Sequence, residues 1–146
     1  MALSHKTARN IKYVDLVRGA SADKKTAQGV TFLNGKRIAP NLFARTPSDG
    51  DGLRIKIRTP QVKSLTLTLY SAGWNCDPKL RILSADGTTE LIAEQIYQHP
   101  SENTSFASEI TLTEAQLQAH KSFLIELTAI DVKSDSGLSL NALMLK

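Results

Sequence analysis

Apolar and polar residues alternate along Leu65-Thr66-Leu67-Thr68-Leu69-Tyr70, with Leu65, Leu67 and Leu69 on one side and Thr66, Thr68 and Tyr70 on the other. A period of two marks a strand with one buried face and one wetter face. Leu53-Arg54-Ile55-Lys56-Ile57-Arg58 repeats the pattern with three cations outward, and Thr59-Pro60 stops it. Lys79-Leu80-Arg81-Ile82-Leu83 alternates again. Between the first and third of these runs, Ser71 to Pro78 is rich in turn formers and reads as the loop of a central hairpin. That loop holds the only tryptophan, Trp74, and the only cysteine, Cys76.

The same reading carries along the chain. Ile11 to Val17 predicts an opening strand, and the polar stretch Arg18 to Gly29 a loop. Val30 to Leu33 and Lys36 to Ala39 flank Asn34-Gly35, a strong short hairpin signal because both turn positions accept positive φ. Phe43 to Gly52 reads as a second loop. Strands follow at Leu91 to Tyr97 and at Phe106 to Leu112, where Phe106, Ser108, Ile110 and Leu112 share a face. Thr113 to His120 is the one helical island, and Thr113 with Gln116 fits a capping box. It predicts a short connection packed against a sheet edge. Phe123 to Ile130 is almost continuously apolar and predicts a central strand; Leu138 to Leu145 closes the chain. Short strands with regular turns and no βαβ spacing predict an all-β fold, an antiparallel β-sandwich or jelly roll of about nine strands with one short helical turn. The expected unit is a single domain over residues 1–146, with about the first ten residues disordered.

Charge is unevenly spread. The formal net charge is +4, made of +7 over residues 1–45 and −3 over the rest. A basic segment attracts anionic partners, but no aromatic residues are interleaved with these cations to stack bases, so nucleic acid is not the expected partner. One cysteine excludes an internal disulfide. No stretch approaches the roughly 20 apolar residues of a membrane span, and the first residues lack the apolar run of a signal peptide. The expected location is cytoplasmic if the chain is complete, and extracellular or at the cell surface if it belongs to a larger secreted protein.

Catalytic motifs are missing: there is no Gly-x-Ser-x-Gly, phosphate loop or dinucleotide fingerprint, and the histidines at 5, 99 and 120 are isolated. Three stretches could hold a ligand. Asp49 and Asp51 flank Gly50 and offer oxygens suited to calcium, or else form a tight turn. Trp74 and Asn75 offer a stacking ring beside an amide that bonds hydroxyls, or else Trp74 folds back over the core. Tyr97 and His99 form a further aromatic and polar pair, or else a surface turn.

The residues Leu65 to Tyr70, Gly73-Trp74-Asn75, Lys79-Leu80 and Ser84-Ala85-Asp86-Gly87 resemble a group of bacterial carbohydrate-binding-like domains with the galactose-binding jelly-roll fold. Ser134 to Gly137 followed by Leu138 to Leu145 is similar to the closing strand of that group. The resemblance covers about residues 53–146 and departs at Ala72, where a glycine is usual, and at Cys76-Asp77-Pro78. Such domains are usually appended to glycoside hydrolases or surface proteins. The resemblance implies a non-catalytic, lectin-like module that attaches to a glycan or surface polysaccharide through loops at one end, with Trp74, Asn75, Tyr97 and His99 at the site. The expected cofactor is none, calcium aside. The alternative is a protein-interaction or self-association module using a sheet face or edge. A third reading is polyanion binding through Arg54, Lys56 and Arg58.

Overall fold

A computed structural model of the chain describes residues 2–3, 11–17, 21–22, 42–98 and 103–145. In these residues the chain forms two facing antiparallel sheets. The first, sheet A, contains β3 (Ser21–Ala22), β4 (Leu42–Arg45), β11 (Gly137–Leu145), β6 (Leu65–Trp74) and β9 (Asn103–Leu112), in that order. A two-residue strand, β1 (Ala2–Leu3), adds to β11 in parallel. Sheet B has the order β2 (Ile11–Val17), β5 (Gly52–Arg58), β10 (Ser122–Ile130), β7 (Asp77–Ser84), β8 (Glu90–Ile96). The sandwich expectation holds. The expected nine strands become eight of seven residues or more, with three shorter pieces. The predicted hairpin at Asn34-Gly35 lies outside the described residues.

Inward positions follow the alternation. Leu53, Ile55 and Ile57 of β5, Leu65, Leu67 and Leu69 of β6, and Phe123, Ile125 and Leu127 of β10 meet in one core. β10 is the middle strand of sheet B and is buried from Ser122 to Ala129, which explains its unbroken apolar run. On its outer face Glu126 is buried and sits between the side chains of Arg54 at 2.6 Å and Arg81 at 3.6 Å. Arg54 is therefore a structural partner of Glu126, and the three cations predicted along β5 do not form a uniform free row.

The central hairpin expected from Leu65 to Tyr70 and Lys79 to Leu83 does not form. β6 and β7 are not a hairpin; β6 lies in sheet A and β7 in sheet B. Alternation in β6 runs on past Leu69, but its inward residues become Ser71 and Gly73, too small or polar to register as a strand. The smallness is required: a Cβ on Gly73 would lie 2.5 Å from Pro78 Cγ. The turn between the sheets is only Asn75-Cys76, with Asn75 at φ 52. Likewise Phe43 to Arg45, the start of the stretch read from sequence as loop, belongs to β4 (Leu42–Arg45), where Ala44 is a fully buried core residue. Ser21–Ala22, read as loop, pairs with β4.

The helix α1 (Glu114–Ala119) starts with the predicted capping box: Gln116 N–H donates to Thr113 Oγ1 at 3.3 Å and Thr113 N–H to Gln116 Oε1 at 2.9 Å. It caps a sheet edge as expected. Gln116 Nε2 donates to the Leu91 carbonyl on edge strand β8 at 2.7 Å, and Leu117 enters the core.

One inward group lacks a partner. Ser71 Oγ is buried with no hydrogen bond. An unmade bond in the interior costs about 1–3 kcal/mol, so Ser71→Ala should raise unfolding free energy by about 1 kcal/mol in urea titration. A loss of stability would show that the hydroxyl has a partner.

Candidate functional site

The connections of the sandwich divide into two ends. One end gathers residues 46–51, Asn75-Cys76, residues 97–98 and residues 131–136, from the connections β4–β5, β6–β7, β8–β9 and β10–β11. Asp49, Asp51, Trp74, Asn75 and Tyr97 belong to these connections or border them, whereas Arg54, Lys56 and Arg58 lie along β5. His99 lies outside the described residues.

Residues 131–136 are stitched to the neighbouring loops. Lys133 N–H donates to the Asn75 carbonyl at 2.8 Å, and Asn75 Nδ2 donates to the Ser134 carbonyl at 2.9 Å. Val132 N–H donates to Asp49 Oδ1 at 2.9 Å. Thr46 N–H donates to the Ser136 carbonyl at 3.1 Å, and the two buried hydroxyls lie 2.8 Å apart. Asp131 and Asp135 hold positive φ of 50 and 57. The end is thus preformed, which lowers the ordering cost of binding. It is also acidic. Lys133 pairs with Asp131 at 2.9 Å, and that carboxylate first, then Asp77 and Asp49, pushes its pKa up.

The structure assigns each candidate a local role. Asp51 is buried; its Oδ2 accepts from Ser48 N–H at 2.9 Å. Asp49 and Asp51 therefore direct carboxylates at different backbone amides, and among the described residues no three His, Cys, Asp or Glu side chains gather to hold a metal. Cys76 is fully buried and its Sγ faces the Gly137 carbonyl at 3.6 Å. Burial pushes the thiol up to about 11, so it stays protonated at neutral pH. Tyr97 packs along the sandwich edge rather than beside Trp74. Its ring stacks on Phe106 with centroids 4.1 Å apart, its hydroxyl donates to Gln95 Oε1 at 2.6 Å, and it also bonds the buried Ser108 hydroxyl.

Trp74 ends β6 on the outer face of sheet A, half-buried, opposite Gly137. Its indole lies directly over that glycine: an added Cβ would be 1.9 Å from Trp74 Cζ2. The ring is thus fixed by β11 rather than inserted between the sheets. Four residues earlier on the same face stands Tyr70, 41% exposed. At about 3.3 Å per residue their Cα atoms are roughly 13 Å apart. Ala72 lies between them, and Ser105, Ala107 and Ser139 occupy neighbouring register positions on the same face. Two aromatic residues thus share the outer face of β6, with small residues at the register positions between them, of which Ser139 is buried. Tyr70 was not singled out from sequence, although the β6 alternation placed it on the wet face.

No family model matches the sequence. No curated protein matches it. Solved structures do. The K3 cleaved adhesin domain of Lys-gingipain from Porphyromonas gingivalis matches with TM-score 0.51 and 8% identity, covering 75% of each chain. The CBM22-1–CBM22-2 tandem domain from Paenibacillus barcinonensis Xyn10C matches with TM-score 0.50 and 12% identity over 91% of this chain, which spans 41% of that pair. The carbohydrate-binding module CBM36 in complex with calcium and xylotriose matches with TM-score 0.49 and 10% identity, covering 95% of this chain and 96% of that one. Carbohydrate-binding modules recur among the matches. The likeness to the adhesin domain and to the CBM22 pair shows the fold alone, a two-sheet β-sandwich.

Proposed function

We propose that this chain is a non-catalytic glycan-binding module whose ligand lies along the outer face of sheet A, from Tyr70 to Trp74, with the stitched loop end closing one side. The observation that carries this reading is the placement of Tyr70 and Trp74 on one face with only small residues between them. Aromatic rings supply flat apolar area at small entropic cost, and such anchors dominate binding energy. The spacing is longer than one sugar ring, so an oligosaccharide is needed to engage both. The acidic loop end favours a neutral chain. The fold shared with the CBM22 pair and the Gly73-Trp74-Asn75 resemblance support the same class, and Asn75 acts by holding the loops. The test is affinity electrophoresis on neutral polysaccharides. Binding should weaken about tenfold or more, at least 1.4 kcal/mol, in Trp74→Ala and in Tyr70→Ala. Tyr70 is exposed enough for its variant to fold. Retardation by no polysaccharide, with folded protein, would sink the reading.

One observation favours self-association as a second reading. β9 is ten residues long and, among the described residues, pairs with β6 alone, which leaves its other edge unpaired there. Light scattering should then show molar mass rising with concentration; a constant monomer removes this alternative.

A further inference from the structure

The opposite end of the sandwich carries chemistry that glycan stacking on sheet A does not use. There the β5–β6 connection faces α1 and the residues after it across an open cleft of about 770 Å³. This is within the range of small-molecule sites. Its walls are tied together: Thr59 N–H donates to the Lys121 carbonyl at 3.0 Å and Thr59 Oγ1 to the His120 carbonyl at 2.5 Å. Three permanent cations line it, Arg58, Lys63 and Lys121, against one carboxylate, Glu114. Among the described residues no ion pair holds any of these three, in contrast to Arg54, Lys79 and Arg81. The floor adds apolar surface from Leu117, Pro60 and Val62, the last 47% exposed. Gln61 and Gln118 supply side-chain amides.

The neighbouring hollow differs. It shares His120 and Lys121 but contains Asp86, whose pKa is lowered to about 2 by bonds from the Ser84 hydroxyl and then Thr88. The Asp86 carboxylate makes that hollow less favourable to an anion than the first cleft. The helix itself is not the anchor, since Glu114 occupies its first turn and the Thr113 capping box takes the Gln116 amide.

We propose that this cleft is a second binding site, selective for an acidic oligosaccharide bearing carboxylate or sulfate groups. Three cations spread over two walls suit several anionic groups along a chain better than one convergent phosphate. The apolar floor suits the C–H faces of sugar rings, and the amides suit hydroxyls. Among the described residues no Phe, Tyr or Trp lines the cleft, and His120 is its one ring, so it lacks the succession of stacking rings on which single-stranded nucleic acid binding depends. The two ends therefore take ligands of different charge, neutral at the aromatic face and anionic here.

Isothermal titration with a polygalacturonate oligomer and a dextran sulfate oligomer, against neutral dextran, tests this. The acidic chains should bind and dextran should not compete. Affinity should fall with salt with a log–log slope of about −2, as three cations each release roughly 0.7 of a counterion. Lys63→Gln/Lys121→Gln should weaken binding about tenfold and flatten the slope, Arg58→Gln should act in the same direction, and Trp74→Ala should leave acidic-chain binding unchanged. A matched melting temperature confirms the fold of each variant. The proposal is overturned if neither acidic chain binds, if the double variant binds as the parent does, or if Trp74→Ala abolishes the binding. It is equally overturned if an oligothymidylate of the same charge binds as tightly and is lost in the same variant. Since neutral-chain binding is read separately, failure here leaves the Tyr70–Trp74 reading standing.

Discussion

Leu67→Ala should lower unfolding free energy by about 2–5 kcal/mol in urea titration, the range for a buried leucine truncation. Leu67 is the third residue of β6, is 2% exposed, and pairs in register with Ile110 on β9 and Leu145 on β11. The interior has little room to accommodate the loss. A core void lined by Leu53, Ile55, Leu69, Ile125, Leu127 and Leu140 measures only about 10 Å³. A leucine-sized hole is far larger and cannot be filled without moving both sheets. The adjacent Thr66→Ala should cost well under 1 kcal/mol. Thr66 stands on the outer face, and its bond to Thr111 at 3.2 Å is exposed, so water replaces it on truncation. Comparable losses from the two variants would mean that both faces of β6 are buried and that sheet A has no open face for a ligand.

That contrast rests on information a sequence carries well. Where inward residues are large, as in β5 and the first half of β6, alternation alone located strand, face and burial, and in β10 the nearly unbroken apolar run marked a central strand. It failed where inward residues are small. Ser71, Gly73 and Ala44 fill places in which two chain segments approach closely, and a small residue there looks like loop. The cost fell on the site, because Trp74 then read as a loop residue rather than the outer-face end of a ten-residue strand. Strand partners were also illegible. Local pattern cannot say whether two adjacent strands pair or cross to the facing sheet, so the β6–β7 corner resembled a hairpin. The basic cleft depends on residues 58–63 meeting residues 114–121. That contact arises from the fold and leaves no local periodic trace.

Gly137→Ala should disturb the aromatic face most directly. The glycine is the first residue of β11 and the register partner of Trp74. An added Cβ would lie 1.9 Å from Trp74 Cζ2 and 2.5 Å from both Cε2 and Cη2. These separations are far below van der Waals contact, so either the indole or the strand must move. The strand is the stiffer partner. Its neighbour Ser136 is fixed to Thr46, and the Gly137 carbonyl receives the buried Cys76 thiol. The indole therefore lifts away from β11, toward solvent and out of line with Tyr70. Overpacking of this kind costs about 1–3 kcal/mol, which leaves enough folded protein to assay. Tryptophan emission, which reports Trp74 alone, should shift to the red. Neutral-glycan affinity should fall about tenfold or more, matching Trp74→Ala, because stacking depends on the ring's position as well as its presence. Acidic-chain binding at the opposite end should persist. Red-shifted emission with undiminished neutral-glycan binding would separate the ring's placement from recognition and move the glycan site away from Trp74.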